Sequence, residues 1–241
     1  MKRKAPIGNV RRVASIGNNF RGVTTNKRGR LTQFESEQER KLILMLERDT
    51  SVVDFVSQPE TLTFIDALGR TRKYTPDFKV WRANGQIELH EVTIESRRAT
   101  RESAQEREAA AQRICQMRGW RYVVHTDKTL PLGYEYANLD FLSAYRAGQH
   151  ADSEQTQWWL AQLFTGKPMH PQVILDQAKQ TASGGRLLNG LYHLLWHDTV
   201  QMNWHRPFIQ KGRIDSSARV WLSAIQTTGC SSVRSEEAVR S

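Results

Sequence analysis

Asn84-Gly85 stands between two β-rich runs, 73–81 and 86–94, and this dipeptide favours the tight turns that match the twist of paired strands. It commits the middle of the chain to adjacent antiparallel strands. Side chains alternate along a strand, so Ile87, Leu89, Glu91 and Thr93 share one face of the second run. Two further β-rich segments precede the pair, 52–56 and 61–65, the latter followed by a turn at Ala67-Leu68-Gly69. Helices are predicted on either side. Over 32–48, Thr32-Gln33-Phe34-Glu35 and Ser36-Glu37-Gln38-Glu39 are overlapping capping boxes ahead of the apolar run 42–46. Over 100–118 the pattern is alanine-rich and stops at Gly119, and 120–125 reads as a last apolar strand. Helix, strands, helix, strand predicts an α/β (α+β) domain, a mixed sheet flanked by helices.

The distribution of charge divides the chain further. The sequence has 241 residues, 35 basic against 25 acidic. Nine of the basic ones fall before the first acid, Glu35, and the rest of the chain is nearly neutral. Glycines and asparagines interrupt this stretch, so 1–31 reads as a basic flexible arm. Lys2, Arg3, Lys4, Arg11, Arg12, Lys27, Arg28 and Arg30 are its candidate phosphate contacts, which would supply affinity without sequence choice.

Residues 131–225 change texture. Helical patterns recur at 135–147, 153–165, 171–181 and 186–197, and two strand candidates follow at 200–204 and 218–222. Helices ahead of a β-wing suggest a mainly helical, winged-helix-like module, and 226–241 reads as a disordered tail. A spanning helix needs about 20 mostly apolar residues, and the longest strictly apolar run is 42–46. With Cys115 and Cys230 as the only cysteines and no signal-peptide pattern, the expectation is a cytoplasmic protein without disulfides or a cysteine zinc site. His193 and His197 have the i, i+4 spacing of a zinc pair but no third ligand, and are read as packing residues. The tryptophans 158, 159, 196, 204 and 221 are read as core.

The chemistry concentrates around Tyr74-Thr75-Pro76-Asp77-Phe78 and, 14 residues beyond Asp77, Glu91-Val92-Thr93. The hairpin folds the second strand back so that Asp77 and Glu91 come close. An acid in the middle of an apolar face is costly unless paired. A divalent metal is a natural partner, since Mg²⁺ takes one or two carboxylates, waters and phosphate oxygens. Two surface acids on an antiparallel sheet would give the same spacing.

Phe34-Glu35-Ser36 with Glu39, then Val52-Val53-Asp54-Phe55, Gln58-Pro59, Tyr74-Thr75-Pro76-Asp77-Phe78 and His90-Glu91-Val92 come in an order and spacing that resembles TnsA-type transposon endonucleases. The resemblance is dense over 30–130 and extends to Asn138-Leu139-Asp140-Phe141-Leu142 and Leu194-Leu195-Trp196-His197. It implies a restriction-endonuclease-like domain over 32–130 followed by the winged-helix-like one. It also implies Mg²⁺-dependent nicking (Mn²⁺ as a substitute) of the 5′ strands at transposon ends. The implied partners are DNA, a DDE-type transposase and an AAA+ ATPase regulator in the bacterial cytoplasm. Carried over by residue, Glu39, Asp77 and Glu91 form the acidic, metal-holding site. Glu39 has a second reading as the capping partner of Ser36.

The family's final lysine is replaced here by Thr93. That lysine lies near the scissile phosphate, where a cation offsets negative charge. Lys79, two residues beyond Asp77, is the candidate replacement, and Thr93 can orient a water. The same vacancy favours the alternative of a weak or inactive DNA-binding assembly subunit that recruits the ATPase, and a stand-alone restriction-like nuclease on the same fold is the third reading.

Overall fold

A computed structural model describes residues 21–150, 153–164, 167–178 and 184–222. The chain divides into two units, Met1–Leu130 and Pro131–Ser241. Five of the arm's candidate cations, Lys2, Arg3, Lys4, Arg11 and Arg12, and the tail 226–241 lie outside the described residues.

Unit one opens with an antiparallel pair, β1 (Gly22–Thr25) and β2 (Leu31–Phe34). Its turn is closed by Asn26 N–H to Arg30 O at 2.8 Å and Gly29 N–H to Asn26 O at 2.8 Å, with Gly29 at φ 70°. Only glycine adopts that conformation at little steric cost. The same construction recurs at Asp66–Arg70 and Arg82–Gln86, with Gly69 at φ 73° and Gly85 at φ 83°.

This hairpin corrects two expectations. Part of the presumed arm is folded, because Asn26 anchors it: its side-chain amide donates to Asp54 Oδ1 at 2.8 Å and to Phe55 O. Arg30 pairs with the buried Asp54, Arg28 lies 3.7 Å from it, and Lys27 donates to the carbonyls of Asp49 and Val52. Lys27, Arg28 and Arg30 thus hold the hairpin to its own domain. The second correction concerns Thr32-Gln33-Phe34-Glu35, which caps nothing, since Leu31–Phe34 pairs with Gly22–Thr25 and buries Phe34.

Helix α1 (Glu37–Arg48) starts at the second box, with Ser36 Oγ accepting from Glu39 N–H at 3.1 Å. The main sheet has the order β3 (Val52–Ser57), β6 (Phe78–Arg82), β7 (Ile87–Thr93), β8 (Arg121–Thr126), antiparallel except for the parallel β7–β8 pair. Strands β4 (Leu62–Ile65) and β5 (Thr71–Tyr74) form a separate hairpin. The run 73–81 is therefore two strands, broken at Thr75-Pro76-Asp77, where Pro76 lacks the N–H a ladder needs.

The helical run 100–118 is also divided, into α2 (Glu95–Thr100) and α3 (Glu102–Met117), by Arg101 at φ −102°, ψ 110°. Gly119, at φ 68°, ends α3, and Trp120 N–H reaches back to Cys115 O at 2.8 Å. The sheet is covered on both faces. Phe55, Phe78 and Val80 pack with Leu42, Ile43 and Leu46 of α1, while Leu89 packs with Ala111 and Cys115 of α3 and with Leu62 and Tyr74. This is a restriction-endonuclease-like core. Truncating a fully buried ring such as Phe55 or Phe78 costs about 3–5 kcal/mol.

Among the described residues, unit two has four α-helices, α4 (Gly133–Leu142), α5 (Ser153–Gln162), α6 (Pro171–Ala178) and α7 (Gly184–Trp196). Its strands are β9 (Val200–Met202), β10 (Ile209–Gln210), β11 (Arg213–Ile214) and β12 (Val220–Leu222), and β9 pairs antiparallel with β12. Trp159 and Trp196 are buried. His193 Nδ1 meets Tyr145 O at 2.8 Å and His197 Nε2 meets Arg146 O at 3.2 Å. Among the described residues no helix is long and apolar enough to cross a membrane.

Candidate active site

The break before β6 creates the site. Leaving the ladder, Asp77 keeps one backbone bond, its carbonyl accepting from Gln58 N–H at 2.7 Å just past the end of β3. Its carboxylate turns to the neighbouring strand, where Oδ2 accepts from Val92 N–H at 2.7 Å. Main chain therefore fixes Asp77 from both ends. Phe78 is in register with His90, so Asp77 arrives beside Glu91.

Glu91 shares a face with Leu89, which packs against α3. From α3, Arg107 Nη2 approaches Glu91 Oε1 at 3.0 Å. Tyr74, at the end of β5, donates its hydroxyl to Glu91 Oε2 at 2.5 Å and lies 3.0 Å from the Tyr122 hydroxyl. The Arg107 guanidinium sits 5.0 Å from the Tyr74 ring centroid, so cation, ring and carboxylate support one another.

Electrostatically this is a cluster of acids in excess over cations. Enclosure by protein pushes the Asp77 carboxyl well above the usual carboxylate range, and the negative charges of Glu91 and Glu39 add to the effect. The Val92 N–H and Arg107 offset part of it. Glu91 is raised by the same enclosure, against the Tyr74 hydroxyl, Arg107 and a hydrogen bond with Asp77 that favour its ionised form. Asp77 and Glu91 thus behave as a pair that retains a proton (coupled acids titrate together). Desolvation and the adjacent acids keep Tyr74 protonated, hence a donor.

Glu39 belongs to the electrostatics but is held by its helix. Its Oε1 accepts from Ser36 Oγ at 2.9 Å and its Oε2 from Glu35 N–H at 2.9 Å. Among the described residues no three His, Cys, Asp or Glu side chains converge as a metal site. The donor chemistry at Asp77 and Glu91 fits Mg²⁺ nonetheless. Two enclosed, adjacent carboxylates that resist ionising together are what a divalent ion relieves, with water and phosphate oxygens completing its shell.

Lys79 is engaged away from the acids. Its Nζ lies 3.9 Å from the Trp120 ring centroid and 3.6 Å from Glu60 Oε1. It is in register with Leu89, so the parity argument holds, but the flexible stem carries the ammonium toward the aromatic pair Trp81 and Trp120. The cation that touches Glu91 is Arg107, which the sequence reading missed. Its only signal was position: a basic residue inside the alanine-rich helix that covers the Leu89–Glu91 face. Tyr74 was in view within Tyr74-Thr75-Pro76-Asp77, without a role. Thr93 ends β7, half-buried and in register with Thr126.

A second buried polar group lies on the next strand positions. Glu88 Oε2 accepts from Arg82 Nε at 2.8 Å and lies 3.0 Å from His90 Nε2, while His90 Nδ1 is 2.9 Å from His125 Nε2. The bond from His90, together with Arg82, brings Glu88 down to about 2, and burial brings His125 down to about 4.

Residues 49–127 match the family model described as TnsA-like endonuclease N terminal. The match contains Asp77, Glu91, Tyr74 and Arg107, and leaves Glu39 and the whole of unit two outside it. Comparison with curated proteins gave no match.

Proposed function

We propose, from the premise that residues 49–127 belong to the TnsA-like endonuclease family, that the chain is the endonuclease subunit of a transposase. Its reaction is hydrolysis of the 5′, non-transferred strand at each transposon end. One observation carries the reading: Asp77 and Glu91 are adjacent enclosed carboxylates, and Arg107 is placed against them where the family motif has lost its lysine. Asp77 and Glu91 would hold Mg²⁺, with Mn²⁺ as a substitute, and Glu39 would join them on leaving its cap. When bound, the ion supplies an activated water and offsets charge on the leaving oxygen.

The chain's own residues do the rest. The Val92 N–H locks the rotamer of Asp77. The Tyr74 hydroxyl, itself oriented by Tyr122, favours ionised Glu91 and holds it in place. Arg107 supplies a fixed positive charge beside the acids, the role of the absent lysine at Thr93. Lys2, Arg3, Lys4, Arg11 and Arg12 would grip flanking phosphates. Unit two would act as a winged-helix-like module toward a DDE-type transposase and an AAA+ ATPase in the cytoplasm.

A nicking assay on transposon-end duplex with Mg²⁺, with and without the transposase subunit, tests this. Asp77→Asn and Glu91→Gln should each abolish cutting and leave duplex binding near wild type. Wild-type rates in either variant would falsify the assignment. Thr93 favours a second reading, an inactive assembly subunit. In that case the wild-type chain supports strand joining by its partner and never cuts.

A further inference from the structure

We propose that the cleft between the β4–β5 hairpin and the first half of α3 is a phosphate-binding groove that seats the DNA backbone beside Glu91. The cleft is about 480 Å³ and presents Arg70, Arg72, Lys73 and Arg107 against two acids, Glu102 and Glu106. Glu106 is spent on structure, since its Oε1 accepts from Ala67 N–H at 3.3 Å and ties the hairpin turn to α3. The lining itself carries four cations against two acids, and Lys73 and the two exposed guanidiniums are its positive face.

Asp66 organises the cations. One carboxylate oxygen accepts from the Leu68 and Arg70 backbone N–H groups and shapes the turn. The other accepts from Arg70 Nε at 2.9 Å and Arg72 Nε at 2.8 Å. Asp66 is almost entirely covered, yet the two arginine side chains remain 56% and 49% exposed. A structural ion pair needs one guanidinium. Two guanidiniums held by one carboxylate leave an uncompensated charge with limited rotamer freedom, an arrangement suited to phosphate, which arginine contacts in a fixed fork.

Position supplies the rest. Arg107 lines the cleft and touches Glu91, so the groove ends at the acids. Strand β5 runs from Arg72 and Lys73 directly into Tyr74, the hydroxyl donor to Glu91. A backbone lying on this hairpin therefore leads its next phosphate to the site. The inference rests on the nuclease reading for its purpose, but its test does not.

Binding of a fluorescent duplex by the full chain is followed by anisotropy across a salt series, in EDTA and in an Asp77→Asn background that prevents cutting. The log–log slope is about −0.9 per neutralised phosphate. Arg70→Gln with Arg72→Gln should weaken binding and flatten the slope by about 1.8. Lys73→Gln, which leaves Asp66 and its partners intact, should flatten it by about 0.9 and carries the test if the double variant fails to fold. Lys128→Gln, exposed beyond β8, should leave the slope unchanged. Unchanged slopes in folded groove variants overturn the groove, as does an equal shift from Lys128→Gln. Loss of transposase binding with duplex binding intact also overturns it, assigning the cleft to an acidic protein surface. The two readings separate cleanly. Normal binding by groove variants, with nicking dependent on Asp77, removes the groove alone; groove-dependent binding by a chain that never nicks removes the nuclease reading alone.

Discussion

Arg107 Nη2 lies 3.0 Å from Glu91 Oε1, a helix-borne cation on the carboxylate that family resemblance couples to a lysine two residues further along the strand. A positive charge reaches Glu91 from α3 instead of from Thr93.

This relationship sets the first expectation. Arg107→Ala should lower nicking by about 10²–10³-fold, the range for one lost transition-state contact. Lys79→Ala should change it little, because Lys79 is held by Trp120 and Glu60. Thr93→Lys should restore a large share of the rate in the Arg107→Ala background and add little to wild type. Residues serving one role are non-additive, so rates of the four proteins decide it.

Tyr74→Phe should move the acid limb of the pH–rate profile upward. The Tyr74 hydroxyl favours the ionised form of Glu91, so its removal raises a group that is already high. The rate then recovers only at higher pH, and the plateau persists if the site keeps its shape. A profile unmoved by the change would separate Tyr74 from catalysis.

The pair legible in the sequence was Asp77 and Glu91, because period-two alternation and an Asn-Gly turn fix which strand positions face each other. The flanking helices and the Ser36 box were legible for the same local reason. What stayed hidden depends on longer reach. Nothing in the periodicity says that 73–81 breaks at Pro76 into a strand of the β4–β5 hairpin and a strand of the main sheet. Lys79 has the right parity, yet a four-carbon stem can leave its strand position, and two aromatic rings draw it away. Arg107 is remote from the motif in the chain, so only the packing of α3 over Leu89 brings it in. Lys27, Arg28 and Arg30 read as solvated charge because their partners, the Asp49 and Val52 carbonyls and Asp54, are 22 residues or more away.

The Glu88–His90–His125 group should make unit one acid-sensitive in two steps. His125 falls to about 4 from an ordinary value near 6.5, so the unfolded chain binds more protons between those values and stability is lost as pH falls through that window. The loss is at most about 3 kcal/mol, at 1.36 kcal/mol per pH unit. Glu88, brought down to about 2, contributes stability that is present above about 4.5 and lost on further acidification toward its own value. Chemical denaturation at stepped pH should show both. In His125→Asn the upper step should shrink while the lower one remains.

Deleting residues 1–20 removes Lys2, Arg3, Lys4, Arg11 and Arg12 without touching Asn26 or its contacts to Asp54 and Phe55. If those five cations each neutralise a phosphate, the salt slope of duplex binding should flatten by about 4 to 5. Thermal melting should be unaltered. A slope identical to that of the full chain would reduce the segment to a solubility tail.

Glu39 closes the first turn of α1 through Ser36 and Glu35 while its charge bears on Asp77. If Glu39 joins the proposed metal site, folding and catalysis draw on one carboxylate, and what one gains the other forfeits. A cation that recruited the Glu39 carboxylate would take it from the Ser36 hydroxyl and the Glu35 N–H, the reciprocal half of the capping box, and leave the bond from Glu39 N–H to Ser36 Oγ in place. Loosening the start of α1 should sharpen the site's hold on metal even as the domain melts earlier, an antagonism between durability and readiness built into a single side chain.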